Sequence, residues 1–490
     1  MRSRLLPVLL GLVFGCGSAC SVASGREITA APRPANYDVV LSGGRVIDPE
    51  SGLDAVRTVG IRDGRIVKIT TERLQGRRNI DAAGLVVAPG FIDLHEHGQS
   101  AADGALSVMD GVTSALEMEI GVPDVAAFLA AKRGRSLIHY GTTASHPAAR
   151  AAAFGVSLAG AEVVPPAGPA TNVSASAEQL AKIEARLRAE LDAGALGIGM
   201  GIQYTPGALR SEVLHAFRIA AERGAPVYTH VRSFGKLEPG SSVEAVSEVI
   251  AAAAVTGASL QIVHINSSCI ADAPECLEMV AGARARGLDV TTEAYPYIAG
   301  MTDLRSALFN DGWREKLGVG YEAIQIPETG ERLVAERFNA LRGAKEPVII
   351  LLFVNRPEVV DAVIRHPLVM IASDGGGLHP RSAGTFSRIL GHYVRETGQL
   401  TLMDAIRKMT LMPAQRLEKS TPAARRKGRL QEGADADVVV FDAGAISDRA
   451  TYAQPTLPSV GMKYVLVGGT VLVDGGSVVP NTFPGQPLVR

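Results

Sequence analysis

"LVVAPGFIDLHEHGQS", residues 85–100, runs from an apolar strand through a Pro-Gly turn and sets His95 and His97 on either side of Glu96. Successive side chains of a strand point to opposite faces, so both imidazoles can reach one ion while Glu96 points away. A His-x-His pair alone is weak evidence, because strands often carry one without binding anything. The text around it decides.

Downstream, apolar runs alternate with Ala-rich helical stretches. The runs are "VTSALEMEI" (112–120), "LIHYGTTA" (137–144), "ALGIGMGI" (195–202), "APVYTHV" (225–231), "SLQIVHI" (259–265), "LDVTTEAYPY" (288–297), "PVIILLF" (347–353) and "LVMIASD" (368–374). Between them stand segments such as "SAEQLAKIEARLRAELDAG" (176–194) and "SEVLHAFRIAAERG" (211–224), rich in helix formers. With the strand at 91–95, this alternation predicts an α/β fold, a (β/α)8 TIM-like barrel of parallel strands over residues 89–426. Mixed polar and aromatic text at 301–345 predicts a lid or insertion over the barrel mouth. Both chain ends, 38–88 and 427–480, carry short Gly-punctuated strands of one texture, and together they predict a small β-sandwich domain.

The start of the chain is different again. "MRSR" is basic, "LLPVLLGLVFG" is apolar and of signal-peptide length, and Cys16 and Cys20 follow, so residues 1–23 are expected to be an export signal. "VFGC" is similar to a bacterial lipobox, which would lipidate Cys16, although Phe14 stands where a smaller residue is usual. An ordinary cleaved secretory signal is the alternative. Residues 24–37 are expected to be a flexible tether, and the protein to be periplasmic, lipid-anchored or secreted. After the leader only Cys269 and Cys276 remain, enough for one bridge and too few for a disulfide scaffold. A net charge of −1 across 490 residues gives no basic surplus for nucleic acid, and no later run is long enough to span a membrane.

Three further strand ends carry ligand-type residues: His230 in "VYTHVRS", His264 in "IVHINSS" and Asp374 in "MIASDGGG". In a (β/α)8 barrel such positions gather at the C-terminal mouth, where catalytic groups sit. Four of the ten histidines and one aspartate therefore converge on one rim.

"APGFIDLHEHG" resembles the signature of the amidohydrolase superfamily, and "GALGIGMGIQYTPGA", "VYTHVRS", "EAYPYIAG", "SDGGGLHPRSAGTFSRILGHYVRE" and "KGRLQEGADADVVVFD" are similar to stretches of the D-aminoacylases, the N-acyl-D-amino-acid deacylases. The resemblance covers residues 38–475. It implies one or two divalent metals, usually zinc, and hydrolysis of an amide in a small N-acyl amino acid. His95 and His97 would be the first metal pair and His230 and His264 the second. Asp374 would take the proton from a metal-bound water, whose lowered pKa supplies hydroxide at neutral pH. Arg381 in "LHPRS" would grip the substrate carboxylate, a geometry that suits a guanidinium fork, and Tyr204 and Tyr295 would line the pocket.

The sequence departs from that pattern at three places. Ile120 stands where D-aminoacylases have a cysteine ligand, so a carboxylate is expected to bridge the metals instead, Glu119 in preference to Glu117. Asn266 replaces a lysine and Met301 a serine. The alternatives are a dipeptidase or cyclic-amide hydrolase of the same superfamily, or a non-catalytic exported binding protein.

Overall fold

The computed structural model describes residues 36–158 and 164–490. The expected leader, and all of the tether but its last two residues, lie outside the described residues.

Eight parallel strands follow one another around a barrel: Phe91–Asp93, Val112–Val122, His139–Ser145, Ile198–Gly201, Val227–His230, Leu260–Ile262, Val290–Ala294 and Val369–Ile371. They are numbered one to eight in that order below. Strands one and eight meet at the mouth, where the His97 amide donates to the Gly375 carbonyl at 2.8 Å and the Ser373 amide to Asp93 Oδ1 at 3.0 Å. Helices cover the outside. The helix Ala177–Asp192 shows why: a capping box of Ser176 and Gln179 starts it, and Ile183, Leu187 and Leu191, four residues apart, bury one stripe against the strands.

The run "PVIILLF" is not a barrel strand, which corrects the expectation. Ile349–Phe353 pairs antiparallel with Ala299–Asp303 and with Ile324–Gln325, forming a three-stranded sheet inserted between strands seven and eight. Phe309, Trp313, Tyr321 and Phe338 pack into its own aromatic core. An apolar run of this length reads the same whether a barrel or a cap buries it. The insertion therefore extends beyond the 301–345 suggested by composition.

Both chain ends join one nine-stranded sheet, with Val86–Pro89 from the N-terminal part pairing with Val438–Phe441 from the C-terminal part. The strand Tyr37–Asp48 is bent by a register shift between Leu41 and Gly44, so its first half pairs with Gly76–Asp81 and its second with Val86–Pro89. Val39, Leu41, Val59, Ile61, Val438 and Leu466 are buried in the core that this sheet wraps. The last residues return to the barrel, where Leu488 is buried and donates its amide to the Tyr140 carbonyl at 2.7 Å. Cys269 and Cys276 form a disulfide just after strand six. Among the described residues, no helix is long and apolar enough to cross a membrane.

Candidate metal centre

The site is organised by an irregularity in strand two. Between the pairs Glu117–Thr142 and Val122–Ala144, that strand carries more residues than its neighbour, and the excess bulges at the mouth. Two glycines make room. Gly121 has φ +72°, and a Cβ there would stand 2.4 Å from the Thr143 carbonyl oxygen; a Cβ on Gly199 would stand 2.7 Å from the Glu119 carbonyl oxygen.

The bulge sends two carboxylates to different places. Glu119 reaches the centre, where its Oε2 lies 3.2 Å from His95 Nε2 and 3.1 Å from His97 Nε2, and its Oε1 lies 2.8 Å from His230 Nδ1 and 2.9 Å from His264 Nε2. Glu117 stands behind, with its Oε2 2.6 Å from His97 Nδ1. Asp374 Oδ1 completes the first group at 3.3 Å from His95 Nε2 and 3.4 Å from His97 Nε2. The result is two donor sets, His95, His97, Glu119 and Asp374, and His230, His264 and Glu119, with one carboxylate in common.

These atoms fit a divalent metal and fit poorly without a cation. Four nitrogen and oxygen donors about 2.0–2.1 Å from a tetrahedral zinc lie about 3.3 Å from one another, which is the spacing of the first set. In three of the four histidines the ring nitrogen facing outward is also engaged: His95 Nδ1 meets Glu293 Oε1 at 3.0 Å, His97 Nδ1 meets Glu117, and His264 Nδ1 meets Ser268 Oγ at 3.1 Å. A proton held on Nδ1 of these three leaves the Nε2 lone pair pointing inward, free for a metal. Burial disfavours charge on His95, yet Asp374 and Glu119 hold its pKa well above the usual range; burial would raise the Glu119 pKa, yet the histidines hold it well below. The cluster is short of positive charge.

Two of the site residues stand in the left-handed region, His264 at φ 30° and Asp374 at φ 52°. Such backbone is uncommon outside glycine and gathers at functional sites, where packing over-determines it. Here it turns each side chain inward at the end of its strand.

Arg381 is fully buried behind Asp374, its Nη1 2.7 Å from Asp374 Oδ2, with the guanidinium 4.6 Å from the centre of the Tyr295 ring. It does not line the cavity. Burial would raise the Asp374 pKa, but Arg381 and the neighbouring histidines carry it well below the ordinary carboxylate range. Tyr204 and Tyr295 do line the cavity, a space of about 420 Å³ above the donor cluster that also borders Ile120 and Met301. Asn266 is buried outside it and donates from Nδ2 to the Tyr295 carbonyl at 3.2 Å. Glu96 belongs to neither donor set and accepts from the Gly98 amide. The residue that sequence reasoning passed over is Glu293, whose Oε1 accepts from the His264 amide at 2.8 Å while contacting His95. Its signal was a lone carboxylate at the end of the apolar strand "LDVTTEAYPY".

The sequence profile of the Amidohydrolase family matches residues 78–473. The chain belongs to the amidohydrolase family. This amidohydrolase is 33% identical to an N-acyl-D-glutamate deacylase of Alcaligenes xylosoxydans xylosoxydans, over 92% of this chain and 96% of that protein, and 29% identical to a D-aminoacylase of the same organism, over 88% and 94%. Among solved structures, the N-acyl-D-glutamate deacylase of Bordetella bronchiseptica, complexed with zinc and a phosphonate mimic of the tetrahedral intermediate, superposes with a TM-score of 0.77 at 28% identity, covering 93% of this chain and all of that one. A D-aminoacylase studied for its binuclear metal centre gives 0.78 at 26% identity with the same coverage. The chain is thus a metal-dependent hydrolase of carbon-nitrogen bonds, built as a (β/α)8 barrel with a separate β-sheet domain.

Proposed function

We propose that this amidohydrolase removes the N-acyl group from D-amino acids, with zinc held by His95, His97, Glu119 and Asp374 and by Glu119, His230 and His264. The observation that carries this reading is Glu119, whose two oxygens each meet a different pair of histidines within 3.2 Å. When bound, zinc lowers the pKa of water and polarises the scissile carbonyl.

The chain's own groups do the rest. Asp374 accepts the proton of the attacking water and delivers it to the leaving nitrogen, a role for a carboxylate that is ionised at neutral pH. Arg381 acts on Asp374: at 2.7 Å it keeps the carboxylate charged and fixes its orientation. Grip on the substrate carboxylate, the task expected of Arg381, would then fall to Tyr204 and Tyr295. Burial raises the pKa of both phenols, so they remain protonated and donate hydrogen bonds to substrate oxygens.

Export fits the same reading. The leader-like start of the sequence, with Cys16 as the site of a lipid anchor, agrees with the Cys269–Cys276 disulfide, a bond characteristic of oxidising compartments.

The test is hydrolysis of N-acetyl-D- and N-acetyl-L-amino acids, dipeptides and hydantoins by protein stripped of metal and by protein reloaded with zinc. Zinc-dependent release of free D-amino acid is the expected outcome. Turnover confined to L-isomers, dipeptides or cyclic amides would sink the proposal.

A further inference from the structure

The cavity above the metal donors differs in chemistry from the donors themselves. Phe234 and five residues of the inserted sheet and its connections, Met301, Leu308, Ile349, Leu352 and Val354, make its far wall. Among the described residues, no lysine or arginine lines it. Residues 159–163, outside the described residues, read Ala-Gly-Ala-Glu-Val and contain no lysine or arginine. The carboxylate on that far wall, Asp303, is already saturated, accepting from Arg305 Nε at 3.0 Å and Nη2 at 2.6 Å on one oxygen and from the Arg305 amide at 2.9 Å on the other. Arg381 does not line the cavity: its Nη1 lies 2.7 Å from Asp374 Oδ2 and its guanidinium rests on the Tyr295 ring, its nitrogens making no hydrogen bond among the described residues.

An anionic group set against that apolar wall, rather than at the Tyr204 and Tyr295 hydroxyls, would lose its water and meet Asp303 and apolar carbon. An apolar group would gain contact with Phe234, Met301, Leu308, Ile349 and Leu352.

We infer that the part of the substrate lying beyond the metal centre is uncharged and apolar, and that Phe234, Met301, Leu308, Ile349 and Leu352 set this preference. This rests on the deacylase reading above. The apolar group is an aliphatic or aromatic D-side chain or an extended acyl chain, and either would exclude the acidic side chains that the glutamate-specific relatives are named for.

The experiment uses zinc-loaded protein and compares kcat/KM for N-acetyl-D-leucine, N-acetyl-D-phenylalanine, N-acetyl-D-glutamate, N-acetyl-D-aspartate and N-octanoyl-D-alanine. A preference of about 100-fold or more for the apolar compounds over the acidic pair is expected. A gain in the leucine and phenylalanine arms places the side chain in the cavity, and a gain in the octanoyl arm places the acyl chain there. Equal or better turnover of the acidic pair overturns the inference and leaves the deacylase reading standing.

If none of the five is cleaved, the deacylase reading fails, and calorimetric binding of the same compounds to zinc-loaded Asp374→Asn protein still decides the inference. Apolar ligands binding more tightly than acidic ones supports it, while equal binding, reversed order or no binding by any of them overturns it. Met301→Arg supplies the missing cation. It is expected to raise kcat/KM for N-acetyl-D-glutamate relative to N-acetyl-D-leucine by about 10-fold or more; an unchanged ratio removes Met301 from the set.

Discussion

Two buried clusters of histidine and carboxylate stand at opposite ends of the barrel, and they are not alike. At the base, His139 Nε2 meets Asp437 Oδ1 at 3.0 Å while its Nδ1 accepts from the Gln486 amide at 3.1 Å, and Lys427 Nζ donates to the other Asp437 oxygen at 2.6 Å. Every polar atom there has a partner of opposite character. At the mouth, inward nitrogens of His95, His97 and His264 face oxygens of Glu119 and Asp374, and His230 leaves its Nε2 buried with no partner among the described residues. Burial and residue types match; completeness differs. A cluster whose charges are paired within the chain holds the fold together, whereas one left short of a cation is made to receive one.

That contrast can be broken most sharply at Asp374. Replacing it with asparagine keeps an oxygen at the site but removes the proposed base, and kcat is expected to fall roughly 10³- to 10⁴-fold. The bound zinc, measured by elemental analysis, should stay, because His95, His97 and Glu119 remain; loss of the metal together with activity would make Asp374 a ligand first and a base second.

At the base the expected effect is on stability. Lys427→Met strands a buried carboxylate, for a loss of about 3 kcal/mol or more in urea unfolding at pH 7. Burial would raise the Asp437 pKa, but Lys427 and His139 hold it well below the ordinary value of 3.8. A depressed carboxylate contributes stability above its unfolded pKa and loses it as pH falls toward the folded one. The gap between wild type and variant should therefore narrow below about pH 4, while zinc content at pH 7 is unchanged. A variant that loses zinc would show that the two clusters are coupled.

The smallest expected effect lies between these extremes of role. Glu293→Ala removes the partner of His95 Nδ1 without touching an inward donor, and zinc affinity is expected to fall about 10- to 100-fold, read by competition with a chelator. Unchanged affinity would show that the other contacts suffice to orient His95.

The barrel was legible because its strands alternate with helices at a spacing that few other folds share, and the mouth because ligand-type residues recur at strand ends. "PVIILLF" was misplaced for the same reason that the others were found: hydrophobicity reports burial but not what does the burying. Glu117 and Glu119 share a face in a regular strand, so alternation alone gives them one role; the residues inserted opposite Thr143 separate them, and only Gly121 and Gly199 hinted at that. Arg381 could be matched to a role by position, but that it lies behind Asp374 depends on packing between strand eight and the helix that follows it, which no local pattern records. Glu293 went unnoticed because an orienting residue has no spacing of its own and is defined by the histidine it supports.

The nine-stranded sheet has a consequence for how the protein is made. Asp48 accepts from the Leu430 amide across 382 residues of sequence, and Arg65 pairs with Asp435 across 370. During synthesis the strand Val86–Pro89 leaves the ribosome long before Val438–Phe441 exists, and it waits with an open edge until nearly the whole barrel has been translated. Closure of the sheet is thus a late event, and for most of its synthesis the chain lacks the strands needed to finish folding.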